Sequence, residues 1–170
     1  MNIKLRDILQ EFMATDLFRG ADLARKKRAR TVNINLIDQE WEDEAPVFKF
    51  RVRHPNEHGG SGRFHEVNMR LDSFPEVVDD DIPEIDKIKQ SLVAGDVHTN
   101  CSCEDFLYKG FAYIGTQLDY SLTDEDRPPV IRNPKQEGTL CKHALSVIKK
   151  LNLFYRKMAK QLEQNPVNPD

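Results

Sequence analysis

Two stretches hold all three cysteines of this 170-residue chain. HTNCSCEDF sets Cys101 and Cys103 one residue apart, and TLCKHALSV sets His143 two residues after Cys141. Three thiols and an imidazole are donors that a tetrahedral zinc ion takes, and this set leaves no cysteine over. In an extended segment residues i and i+2 point to one side, so Cys101 and Cys103 can face one ion where a strand ends. In a helix such residues lie about 200° apart, so Cys141 and His143 must straddle a helix start. A helix N-terminus at that point also favours the thiolate of Cys141.

Competing readings of the same residues meet physical objections. A Cys101–Cys103 disulfide would close a very small, strained ring. A nucleophilic Cys141 served by His143 is a poorer fit, because such partners usually meet across a fold rather than along the chain. Four protein donors close the zinc shell and leave no place for a reactive water, so a catalytic zinc is not expected. No acid–base pair or nucleophile with a clear partner stands out elsewhere, and the expectation is a non-enzyme without a small-molecule substrate. His98 is expected as an exposed strand histidine, with a substitute ligand or a donor to a ligand as the other roles open to it. His54, His58 and His65 flank a glycine-rich loop, where a second metal site is the minor reading. The weak point is the gap, residues 104–140, between the two ligand pairs. Closing a loop of that length instead of about ten residues adds only about 1 kcal/mol, and structural zinc binding is worth roughly ten times as much.

The elements that must position these donors are legible in outline. Val32, Ile34 and Leu36, then Phe48, Phe50 and Val52, then Val67, Met69 and Leu71 alternate with polar residues, which predicts three half-buried strands. PNEHGGSG, residues 55–62, joins the last two as a hairpin loop. A short helix is expected at 84–93, and a brief strand from Asp96 to Asn100 leads into Cys101. Residues 104–140 are rich in aromatics early and in proline and turn residues late, too long for an idle loop, so they should pack on the core or on a partner. Leu140, Ala144, Val147, Ile148, Leu151, Tyr155, Met158 and Leu162 keep one helical stripe for over five turns, with Gly138 and Thr139 as its start signal. The fold class is therefore α+β: an antiparallel sheet of three to four strands packed by a long C-terminal helix, with a zinc site interrupted by a long insertion. Leu5, Ile8, Leu9 and Phe12 predict a helix over residues 2–13, and a second piece over 15–28 is interrupted by Gly20. The expected organisation is a basic helical arm at 1–30, one domain at 31–162 and a tail at 163–170.

Composition narrows the function classes. A net charge of −3 gives no bulk pull toward nucleic acid, and 39% hydrophobic with 31% charged residues is an ordinary globular balance. No run of 18 apolar residues is present, so no membrane span is expected. MNIKLRDILQEF lacks the features of a secretory leader, and an odd cysteine count fits a reducing compartment. The charge is unevenly spread, with basic ends and an acidic stretch at 76–86. It reads as solvated faces around an acidic loop, with partner docking as the sharper alternative.

The order strand, C-x-C, insertion, then C-x-H opening a helix resembles the SWIM-type zinc finger, over residues 63–155 at most. That resemblance implies zinc as the cofactor and Cys101, Cys103, Cys141 and His143 as its ligands; the insertion is longer than the family usually carries. CSCEDFLYKGFAYIG followed by PPVIRNPKQEGTLCKH is also similar to a motif of small structural proteins in tailed bacteriophages. That second likeness touches residues 101–145 and implies a virion component of the capsid, neck or head–tail junction. Such a component would be made in the host cytoplasm and docked onto other virion subunits. The alternative is a zinc module that binds nucleic acid or a protein partner. There Arg25, Lys26, Lys27, Arg28 and Arg30 would meet phosphates together with Lys149 and Lys150.

Overall fold

A computed structural model describes residues 27–53, 63–77, 81–136 and 138–167. Four strands form one antiparallel sheet in chain order: β1 (Asn33–Glu42), β2 (Ala45–Arg53), β3 (Phe64–Leu71) and β4 (Val97–Cys101). The α+β class and the four-stranded sheet thus match the sequence reading. The alternation decides which face is buried. Leu36, Phe50, Val67 and Cys101 pair across successive strands, as do Phe48, Met69 and Thr99, and all seven are buried. Every second residue, among them Lys49, Arg51, Glu66, Asn68 and Arg70, falls on the opposite face. Cys101 is therefore delivered to the core side by the same period-two pattern that buries Val67 and Met69.

β1 runs further than the Val32–Leu36 pattern indicates. A register shift between Leu36 and Asp38 breaks the alternation, and the strand then continues to Glu42. Asp43 and Glu44 adopt positive φ values of 49° and 63°, which make the tight two-residue turn into β2.

The helices are α1 (Phe74–Val77), α2 (Glu84–Ala94), α3 (Glu104–Tyr108), α4 (Phe111–Gln117), α5 (Lys142–Lys150) and α6 (Tyr155–Gln164). α2 lies where the sequence placed it. The expected single C-terminal helix is instead two, α5 and α6, joined by a 3₁₀ turn at Leu151–Leu153. The break divides the packing duties: α5 lies against β2, β3 and β4, whereas α6 lies against β1 and α2. Phe154 sits at the joint and meets Phe50 edge to face, centroids 5.5 Å apart. The apolar stripe survives because the 3₁₀ turn keeps Leu151 inward while redirecting the chain beyond it. The start of α5 falls between Cys141 and His143, just past the Gly138–Thr139 signal. Cys141 is the cap of α5, its sulfur accepting from the Ala144 amide at 3.4 Å.

Residues 104–140 pack on the core, as expected. Phe106, Phe111, Ala112 and Ile114 are buried, and beyond α4 the chain returns along the outer edge of β4. The Thr99 amide donates to the Tyr120 carbonyl at 2.8 Å, and the Leu122 amide donates to the Thr99 carbonyl at 3.2 Å. The insertion thereby covers a sheet edge that would otherwise offer unpaired backbone groups. The expected helix over residues 2–13 lies outside the described residues, as does nearly all of the one over 15–28. Of the basic arm, residues 27–30 form a helical turn with Ala29 buried.

Candidate metal centre

Each predicted ligand sits at the end of an element, where chain direction is changing. Cys101 is the last residue of β4. Past it the ladder to β3 continues for one more residue: the Ser102 amide donates to the Glu66 carbonyl and the Glu66 amide to Ser102 Oγ, both at 2.9 Å. That keeps the chain extended, turns Ser102 outward and returns Cys103 to the side of Cys101. Cys103 then caps α3, and Cys141 caps α5 with extended backbone dihedrals of −70° and 166°. His143 is the second residue of α5. The helix start lies between the members of the second pair, as their spacing requires.

The structure brings the four together. One donor atom from each of Cys101, Cys103, Cys141 and His143 lies within 4.8 Å of all the others. Cys101 Sγ is 3.9 Å from His143 Nδ1, so this ring nitrogen faces the thiols. Tetrahedral bonding with Zn–S near 2.3 Å and Zn–N near 2.0 Å implies donor separations of about 3.5–3.8 Å, which the 3.9 Å between Cys101 Sγ and His143 Nδ1 approaches. All four residues are buried, and no disulfide joins the cysteines. Burial pushes the Cys101 thiol well up, and its thiol neighbours Cys103 and Cys141 push the same way. At Cys141 burial also acts upward, but hydrogen bonds from Cys101, Cys103 and the amides of Ala144 and His143 outweigh it and hold the thiol well down. The Cys141 thiolate is thus favoured at the N-terminus of α5, where the Ala144 and His143 amides point at its sulfur. Three soft sulfur donors and one imidazole fit zinc.

Residues 77–112 and 135–152 match the family model of the SWIM zinc finger. Those two stretches are similar to a SWIM zinc finger. No curated protein and no solved structure matches the chain. The two pieces of the SWIM match contain all four donors and skip residues 113–134. The skipped stretch is the part of the insertion that covers the β4 edge. The SWIM donors stand immediately before and after the insertion, so an ion held there fixes both its ends. A buried bond from the Tyr120 hydroxyl to the Thr139 carbonyl, 2.6 Å, ties its middle to its exit.

The insertion also builds a groove of about 380 Å³, lined by Leu107, Tyr108, Pro128, Pro129, Val130 and Ile131 among others. Val130 and Ile131 are 71% and 87% exposed. Arg132 lies over the Tyr108 ring at 5.6 Å, and Arg127 grips both oxygens of Glu125 at 2.7 Å, holding its carboxyl well below the usual carboxylate range. The composition of 104–140 pointed to packing but not to this groove, which forms only when residues 107–108 and 125–132 meet.

The remaining candidates divide. His98 is not with the SWIM donors; it is half-buried on the far side of β4, its Nδ1 against Asp72 and its Nε2 3.6 Å from Asp119. His54 and His58 lie outside the described residues, while His65 stacks on His143 with ring centroids 4.5 Å apart. Among the basic candidates Arg25 and Lys26 lie outside the described residues, and Lys27, Arg28, Arg30 and Lys149 are exposed. Lys150 turns back instead: its ammonium donates to the carbonyls of Arg30 at 3.1 Å and Val32 at 2.9 Å. Lys157 is used in the same way, donating to the Leu36 carbonyl. Among the described residues no helix is long and apolar enough to cross a membrane.

Proposed function

We propose that the chain is a non-enzymatic structural subunit, stabilised by zinc, that docks onto neighbouring subunits of a viral particle, at a tailed-phage capsid, neck or head–tail junction. The carrying observation is the insertion: pinned at both ends by buried donors, it presents Leu107, Tyr108, Val130 and Ile131 to solvent on one groove. An exposed apolar cluster on a rigid support is what an interaction surface requires. A four-donor buried site supports a structural rather than a reactive ion. The virion setting draws on the likeness of residues 101–145 to phage structural proteins. The alternative, a module that binds nucleic acid, draws on exposed Lys27, Arg28, Arg30 and Lys149; use of Lys150 and Lys157 as backbone staples reduces the cations at its disposal.

Quantification of the chain in purified particles from cells that make it tests the proposal. The expected result is a fixed copy number per particle and density for the groove against a neighbour. A chain found only free, which binds random duplex DNA with an affinity that falls steeply with salt, refutes the structural reading and favours the alternative.

A further inference from the structure

The inward positions of β3 read His65, Val67, Met69 and Leu71. Three are apolar, as a buried strand face demands, and one is an imidazole 8% exposed. A polar ring in that row costs more to bury than the aliphatic side chain the pattern calls for, so its place needs a reason. The register supplies one. Val67 pairs with Cys101, and the ladder runs on through Glu66 and Ser102, which sets His65 alongside Cys103. Its ring lies over that of His143, centroids 4.5 Å apart and planes 34° apart.

The surroundings show what the stack does. His65, Cys103 and His143 line a small polar recess of about 120 Å³ together with Arg63, Glu104 and Lys142 among others. Two of the four donors thus face a space that admits water, although each is almost fully buried. His65 covers one face of the imidazole donor at that opening. We propose that His65 is a positioning residue of the zinc site: its ring holds His143 in the orientation that turns Nδ1 toward the thiols and shields that donor from exchange through the recess. The inference rests on the zinc reading of the four donors. The stacked face does this work, so an aromatic ring without a proton to exchange should replace it.

The test uses the full chain loaded with one equivalent of zinc, and in parallel with cobalt(II). His65→Ala is expected to release zinc to a colorimetric chelator at least tenfold faster than the wild type and to shift the visible cobalt bands. His65→Phe is expected to stay within about threefold of the wild-type rate with a wild-type cobalt spectrum. Val67→Ala, which removes packing from the same strand face, should lower the melting temperature without moving the spectrum. If His65→Ala does not fold, His65→Gln takes its place, being of similar size without the ring face, and fast release is expected again. Release within twofold of wild type by the Ala or Gln variant, or equally fast release by the Phe variant, overturns the assignment. Wild-type protein that loads one equivalent while these variants behave like it leaves the zinc reading standing. Wild-type protein that loads no zinc removes that reading and this one together.

Discussion

Gly110 stands between α3 and α4 with φ at 72°, and Pro129 from the far end of the groove is pressed against it. A Cβ at this position would lie 2.2 Å from Pro129 Cγ, 2.6 Å from its Cβ and 2.8 Å from its Cδ. Carbon atoms rest about 3.5–4.0 Å apart, so Gly110→Ala forces the proline back by roughly 1 Å or more. A pyrrolidine ring cannot swing aside as a long side chain would; its backbone must move, and Val130 with it. Two costs add. A left-handed backbone costs a non-glycine residue about 1–2 kcal/mol, and overpacking costs about 1–3 kcal/mol. The substitution should therefore destabilise the protein by about 2–5 kcal/mol, which at this chain length lowers the melting temperature by roughly 4–20 °C. Calorimetry of the zinc-loaded protein reads this directly. Gly110→Asn separates the two costs, because asparagine tolerates the left-handed region better than alanine yet still carries the Cβ. If the collision with Pro129 dominates, Asn is no better than Ala. A melting temperature for Gly110→Ala within about 2 °C of wild type would refute the reasoning, and with it the claim that the groove is held rigid at this point.

Two further perturbations address the metal and the charge clasp. Zinc removal by a strong chelator, or Cys101→Ser, takes away roughly 10 kcal/mol of binding free energy from a protein whose total stability is expected near 5–15 kcal/mol. Hydrogen exchange should then open the amides of 101–117 and 138–146 while the β1–β2 pair keeps more of its protection; no change in exchange or metal content would contradict the zinc assignment. The Asp72–His98 pair sets a pH dependence, with Asp119 and Arg70 also facing it. The hydrogen bond and charge of Asp72 raise His98 above its ordinary 6.5 against the effect of burial, so its contribution is complete below that value and fades as pH rises through the raised pKa. Asp72 is held below its ordinary 3.8: burial acts upward, but His98 and Arg70 together outweigh it, so its contribution is lost only as pH falls through the lowered pKa. His98→Gln should therefore cost about 1 kcal/mol near pH 5.5 and less at pH 9, read as the difference in urea midpoint from wild type. An equal cost at both pH values would show that the pair does not carry the charge.

The metal donors were legible because their chemistry is local. Residue type and i, i+2 spacing are enough to pair Cys101 with Cys103 and to place the start of α5 between Cys141 and His143. The strands were legible for the same reason, since a period of two needs only a few residues to show. The features that stayed hidden depend on distant partners. His65 looked like one of three histidines around a glycine-rich loop; only the pairing of β3 with β4 carries it to His143. The one available signal was its place two residues before Val67 on the buried face. The split of the C-terminal helix left no mark, because the stripe through Leu151 and Met158 is preserved and neither proline nor glycine marks the joint. It exists because α5 answers to β2, β3 and β4, and α6 to β1 and α2.

The long gap between the ligand pairs, awkward when read as a loop to be closed, becomes intelligible once its contents are placed. The buried residues of α3 and α4 give the insertion a core contact of their own, and residues 120–122 extend the sheet by pairing with Thr99. The cost of closing this loop is therefore offset by more than the ion alone. Apolar burial of Phe106, Phe111 and Tyr120 is worth about 1.5–3 kcal/mol for each side chain, more than the entropic cost of the extra length. The ion has a narrower task. It fixes the two points where the insertion leaves and rejoins the core, Cys103 and Cys141, and so sets the angle at which the groove residues between them are presented. On this view the zinc knot sets the geometry of the groove and adds to the stability that the sheet and its helices supply.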